Sequence, residues 1–221
     1  MPHLLSKSKY VRGLQCDRAL WLDVHNPRLA RYTAEQMRRF DRGREFEYAF
    51  KDIFPNGVDI SLEMKRNVDA YPERTTQLLE KEEEVDIFEA GFQYDDVLVL
   101  ADVVHKNADG SLDIYEVKSG TALSDTYRND AAVQYYVISH CRVVNSFSLV
   151  FNDGNGGFIK EDLSSDLAEQ ASEVEHNIVA MKEILLHGEP DTPTGQHCLD
   201  PYACPYQHYC AQGVRQLSLF S

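Results

Sequence analysis

The chain has 221 residues, of which 43% are hydrophobic and 26% charged, enough for one compact domain with a sizeable core. A formal charge of -14 excludes a protein that coats nucleic acid through its average field, because phosphates would be repelled. The longest apolar run, residues 97–104, is interrupted by Ala101 and Asp102, far short of the roughly 20 residues a membrane-spanning helix needs, and no apolar stretch follows Lys7 and Lys9; a cytoplasmic location without membrane contact is the expectation.

In chain order, Ser6 caps a short helix to about Cys16. Thr33 and Gln36 form a capping box for a longer helix to about Ile53, ended by Pro55-Asn56-Gly57. Pro72 stands at a first helical position before an acidic helix over 73–84, read as a solvated face. The texture then turns β-rich, with strands expected over 85–94, 97–105, 112–118, 143–151 and 158–162. Asp95-Asp96, residues 107–110 and residues 153–157 are hairpin-type connections, whereas 125–140 reads as a helix crossing between the third and fourth strands. Ser164 or Ser165 starts a helix through Leu185 that stops at Gly188-Glu189-Pro190, where a cysteine-bearing tail begins. The expected fold class is α/β, a mixed central β-sheet flanked by helices, with both ends of the chain outside the sheet. A single domain over 1–221 would divide into an N-terminal segment 1–32, a core 33–188 and a C-terminal cysteine-rich segment 189–221.

Asp102 lies on one expected strand and Glu116-Val117-Lys118 on the next. The period-two alternation of a strand puts Glu116 and Lys118 on one face. Two carboxylates are hard ligands suited to Mg²⁺ or Mn²⁺, and a neighbouring ammonium can orient or deprotonate a water that attacks phosphorus. The competing reading is a surface Glu-x-Lys ion pair. Cys198, Cys204 and Cys210 follow one another at five-residue gaps, and Cys16 lies far upstream. Four thiolates can hold an iron–sulfur cluster or tetrahedral zinc; His197 and His208 keep a Cys/His zinc site open, and Cys141 reads as a buried thiol.

Asp102, the thirteen-residue spacer and Glu116-x-Lys118 resemble the core motif of the PD-(D/E)XK nuclease superfamily. The run Ile114-Tyr115-Glu116-Val117-Lys118-Ser119-Gly120 is similar to the form in RecB- and AddB-type nuclease domains. The resemblance implies a restriction-endonuclease-like core in which Glu47, four residues after Gly43, joins Asp102, Glu116 and the Val117 carbonyl around the metal. It also implies that Lys118 assists the attacking water. Gln134 matches a helix glutamine of those domains, while Ile138 stands where they carry a tyrosine and the aromatics fall at Tyr135 and Tyr136. One cysteine before the core and three after it resembles iron–sulfur nucleases of the AddB type and of the CRISPR-associated Cas-four family. It implies a [4Fe–4S] cluster on Cys16, Cys198, Cys204 and Cys210 that joins the two ends of the chain. The N-terminal run Leu5-Ser6-Lys7-Ser8-Lys9-Tyr10 with Gly13-Leu14-Gln15-Cys16 is similar to an uncharacterised RecB-like family.

Residues 1–50 carry ten Lys/Arg against six Asp/Glu, so an anion-binding surface is expected there. Lys7, Lys9, Arg12, Arg18 and the arginines of the 33–51 helix, Arg38 and Arg39 among them, would line a DNA path, with Tyr10, Trp21, Tyr135 or Tyr136 stacking on bases. The implied activity is a metal-dependent deoxyribonuclease acting on single strands or free ends, in CRISPR spacer acquisition or DNA repair. The implied partners are DNA and CRISPR integrase or helicase proteins. A non-catalytic DNA-binding module of the same fold is the alternative.

Overall fold

The computed structural model describes residues 4–65, 67–81 and 83–217, with the side chains of 213–217 excepted. Glu82 of the expected acidic helix, and the outermost residues of the two terminal segments, lie outside the described residues. The architecture is mixed α/β. A seven-stranded sheet is built from β1 (Leu5–Ser6), β2 (Val58–Asp59), β3 (Val85–Tyr94), β4 (Val97–Lys106), β5 (Leu112–Lys118), β6 (Val144–Asn152) and β7 (Phe158–Asp162). Along the sheet the order is β2-β3-β4-β5-β6-β7, with β1 on β4. Three hairpins make β3–β4, β4–β5 and β6–β7 antiparallel; the crossover helix α6 (Asp125–Cys141) makes β5–β6 parallel. At Asp95 and Asp96 φ is 48° and 59°, the left-handed pair a two-residue hairpin turn requires.

Both ends of the chain were expected to stay outside the sheet, but β1 is part of it. Leu5 pairs in parallel with Val97 and Ser6 with Leu98. β5 covers only the C-terminal part of β4, Val103 to Lys106, so the edge ahead of it is free to take a short strand. Ser6 then caps α1 (Lys7–Gln15), and α2 (Asp17–His25) follows with Cys16 at its N-cap. The capping box of Thr33 and Gln36 forms at the start of α3 (Ala34–Lys51).

The acidic helix is not a solvated element. As α5 (Tyr71–Lys81), preceded by α4 (Ile60–Met64), it buries Tyr71, Thr75, Leu78 and Leu79. Its first turn sits so close to β3 that a Cβ on Gly91 would lie 2.5 Å from Tyr71 Cβ. The single helix expected after Ser164 is two, α7 (Ser164–Glu169) and α8 (Ala171–Leu186), broken at Gln170. In the tail, α9 (Gln207–Leu217) was not foreseen.

The two faces of the sheet are covered differently. The larger core joins β-strand residues such as Ile87, Val99 and Leu149 to Tyr10, Leu79, Val133 and Ile178 from α1, α5, α6 and α8. The smaller core sets Phe50 of α3 against Phe88, Val103, Val117 and Val150. In β3, Phe88 belongs to the smaller core, but Ala90, two residues on, belongs to the larger; in β4 the same happens between Ala101 and Val103. Period-two alternation cannot do this without a slip. The slip is at Glu89, whose φ is 54°, and at Asp102 opposite it, between the ladder pairs Phe88–Val103 and Ala90–Ala101.

Candidate functional site

The antiparallel β4–β5 ladder ends at Val103–Tyr115, and in that register Asp102 and Glu116 are the next pair. With the strands parting, the Asp102 carboxylate replaces a backbone acceptor: Val117 N–H donates to its Oδ2 at 2.7 Å. Glu116 is 1% exposed; its Oε1 accepts from Lys118 Nζ at 2.5 Å and from Lys7 Nζ at 2.8 Å. Lys118 also contacts Asp130 of α6, from which Lys7 is 3.9 Å away. A surface Glu-x-Lys pair is therefore excluded, since Glu116 is buried and Lys118, half-buried, is engaged in the same network. Glu116 Oε2 is buried and has no hydrogen-bond partner among the described residues.

On the other side of Asp102, Glu47 of α3 and Glu89 of β3 place carboxylate oxygens so that all three residues offer one within 4.8 Å of the others. Lys51, one helical turn after Glu47, bonds Glu47 at 2.5 Å and Glu89 at 2.8 Å. A left-handed φ on a residue with a Cβ costs on the order of 1–3 kcal/mol. At Glu89 it aims the side chain at this group.

The electrostatics separate the two central acids. Burial pushes the Asp102 carboxyl well above its usual range, and the nearby charges of Glu116 and Glu47 add to the shift. Burial acts on Glu116 in the same sense, but Lys118 and Lys7 outweigh it and hold that carboxyl below the usual range. For Lys118 burial favours the neutral amine, yet Asp130, Glu116 and Asp102 keep it well above its ordinary value, so it is an ammonium at neutral pH. These acids border a cavity of about 900 Å³ whose walls include Lys7, Arg39, Gly43, Glu47, Asp102, Glu116, Val117, Lys118 and, from the tail, Leu199 and Pro201 to Ala203. A Cβ on Gly43 would meet nothing within 4 Å, so that wall is open.

The donor set fits a divalent cation. Glu47, Glu89 and Asp102 bring oxygen ligands together, Glu116 beside Asp102 has a buried oxygen without a partner, and Asp102 resists ionising without a compensating charge.

The other expected residues divide. Arg39 lines the cavity, its guanidinium 4.5 Å from the Tyr202 ring centre; Arg38 is exposed and is not on the cavity wall. Gln134 is fully buried on α6, where its amide donates to the Asp130 carbonyl at 3.3 Å, and it does not reach the cavity wall. Base stacking by Tyr135 and Tyr136 does not fit their placement. Tyr136 is 3% exposed in the larger core, against Tyr94 and His140, and Tyr135 is half-buried against Phe147. Both follow from α6 being covered on most sides by the sheet, α7 and α8.

Glu89, Lys51 and Asp130 were missed. The Asp95-Asp96 turn, read strictly, sets Glu89 opposite Asp102, and Asp130 lies one helical turn before Gln134; both signals were present.

The four cysteines come together between α2 and the tail. Cys16 is the N-cap of α2, Cys198 ends a 3₁₀ turn over Gln196–Cys198, and Cys204 N–H donates to the Cys198 carbonyl at 2.8 Å. Burial raises the thiols of Cys16, Cys204 and Cys210 above their ordinary value, and each is raised further by other members of the group. Backbone N–H groups of Ala19 and Arg18 at Cys16, and of Tyr206 at Cys204, oppose the shift as donors to sulfur. The tail is not held by its thiols alone. Tyr206 is fully buried against Ala19 and Leu22, and the Gln15 amide donates to the carbonyls of His197, Asp200 and Tyr202 at 2.9, 3.3 and 2.6 Å. Cys141 is half-buried on α6, with Sγ 3.5 Å from the Gln93 carbonyl.

No family model and no curated protein matches the chain. Among solved structures, the crystal structure of SSO0001 is similar at 12% identity and a TM-score of 0.47, over 94% of this chain and 85% of that one. A likeness at that level bears on neither family nor chemistry. No helix among the described residues is long and apolar enough to cross a membrane.

Proposed function

We propose that the protein is a metal-dependent deoxyribonuclease of the PD-(D/E)XK type that hydrolyses phosphodiester bonds in single strands or at free ends. The observation that carries this reading is the junction of β4 and β5, where Asp102 and the partnerless Glu116 oxygen border one cavity beside a half-buried, charged Lys118. Glu47, Asp102, Glu116 and the Val117 carbonyl would hold Mg²⁺ or Mn²⁺, which supplies Lewis-acid stabilisation of the charge that develops on phosphate. Lys118 stays protonated between Glu116 and Asp130, so its part is to orient the attacking water and offset negative charge, not to take the proton. Arg39 and Lys7 add positive charge to the wall and favour an anionic substrate.

The four gathered thiols belong to the same reading as ligands of a [4Fe–4S] cluster that fastens the tail forming one cavity wall; zinc would serve with the same donors and lack colour. CRISPR adaptation and DNA repair are the processes such an activity would serve, with integrase or helicase proteins as partners.

The test is digestion of end-labelled single- and double-stranded DNA with Mn²⁺ by anaerobically purified protein. Lys118→Ala should reduce the rate at least about 10²-fold with the fold intact. Failure of folded, cofactor-loaded wild type to cleave any of these substrates overturns the reading in favour of a DNA-binding module.

A further inference from the structure

Lys7 is the first residue of α1, and its surroundings are unlike those of a basic residue on an approach path. Its Nζ donates to Glu116 Oε1 at 2.8 Å, stands 3.9 Å from Asp130 Oδ2, and the side chain lines the cavity beside Lys118. Lys9, two residues on, turns instead to the Leu4 carbonyl. The position is built by the sheet. Ser6 is paired with Leu98 of β4, so Lys7 enters where β5 has left that edge, and the far end of α1 is tied to the tail through Gln15.

Around Glu116 and Asp130, two carboxylates face two ammonium groups, and the four charges balance. A divalent cation on the free Oε2 of Glu116 shares the carboxylate with Lys7 and Lys118 and leaves an excess of positive charge at the wall of a cavity. An anion restores the balance, and the diester phosphate is the anion that the proposed reaction brings. We propose that Lys7 is a phosphate-binding residue of the centre, donating to a non-bridging oxygen of the substrate phosphodiester once a cation occupies Glu116. The inference rests on the nuclease reading and adds a ligand to the substrate from a helix outside the sheet. It requires cation and DNA to strengthen each other's binding, because each relieves the charge imbalance the other creates.

The test is fluorescence anisotropy of a short labelled single strand, in Ca²⁺ and in EDTA, over a salt series, with wild type, Lys7→Met and Lys7→Arg. Cleavage with Mn²⁺ is followed in parallel. Wild type should bind more tightly in Ca²⁺ than in EDTA. Lys7→Met should weaken binding in Ca²⁺ about tenfold, the worth of one charge-assisted hydrogen bond, and erase most of the Ca²⁺ effect. Its salt slope should fall by about 0.7, one phosphate contact on a single strand, while Lys7→Arg keeps the slope. Thermal melts check the fold. Lys7→Gln, which keeps a donor for Glu116 without the charge, replaces Lys7→Met if that variant is unfolded. Wild-type affinity, slope and Ca²⁺ effect in the neutral variant, with wild type cleaving and Lys118→Ala inactive, overturn the role of Lys7 alone. A wild type that neither binds nor cleaves removes the nuclease reading and this inference together.

Discussion

The acidic cavity and the thiol corner both draw on α1 and share the tail, yet they are satisfied in opposite ways. Around the cavity four acids have an internal cation: Lys7 and Lys118 serve Glu116, Lys118 serves Asp130, and Lys51 serves Glu47 and Glu89, while Asp102 accepts from the Val117 N–H instead. At the corner the cations acting on the thiols are Arg18 at Cys210 and Arg12 at Cys204, and each is itself engaged, Arg18 by Glu189 at 2.6 Å and Arg12 by Asp23 at 3.3 Å. Those four acids are therefore held in place by the protein's own charges, and a metal would enter a network that lysines already neutralise. Thiols raised by burial have no such substitute, so a cofactor there would supply stability the chain does not otherwise have.

That contrast is broken most easily at the corner. Cys204→Ser should abolish iron loading and raise the rate of proteolysis within residues 189–212 about tenfold or more, with the far-ultraviolet spectrum of the sheet and helices retained. Iron lost with the tail still protected and cleavage unchanged would mean that Tyr206 and the Gln15 amide hold the tail by themselves. A smaller effect is expected at the cavity. Glu89→Gly relaxes the left-handed φ and removes one acid from a crowded trio, so the metal-free protein should gain about 1 kcal/mol and a Tm rise of roughly 2–4 °C, with weaker Mn²⁺ binding. An unchanged or lower Tm would show that the bend at Glu89 stores no strain. The smallest effect lies where the two regions meet. Arg39→Ala should weaken single-strand binding about threefold and lower the salt slope by about 0.7, while Arg38→Ala, away from the cavity, leaves both unchanged. Equal effects from the two variants would argue for a diffuse basic surface in place of a lined path.

The strands were legible because their alternation is regular and their turns carry the residues the geometry demands; the five long strands fall within a residue or two of the expected ends. Asp102, Glu116 and Lys118 were legible for the same reason, being close across one hairpin. Tyr135 and Tyr136 misled because an aromatic residue on a helix reads alike whether it faces substrate or sheet, and only packing against β3 and β6 decides. Burial of α5 was hidden by its acids, which occupy only the outward side.

By itself the sequence determined the order of the five long strands and the crossover helix, the capping of α1 and α3, and the local pairing of an acid with Glu-x-Lys, since all depend on residues near one another in the chain. Tertiary structure alone decided that β1 enters the sheet, that the ladder parts at Asp102, and that Lys7, Lys51, Glu89 and Asp130 complete the charges around it. Those choices turn on which strand edge is left free and on which buried charge lacks a partner, quantities that exist only once the chain has folded.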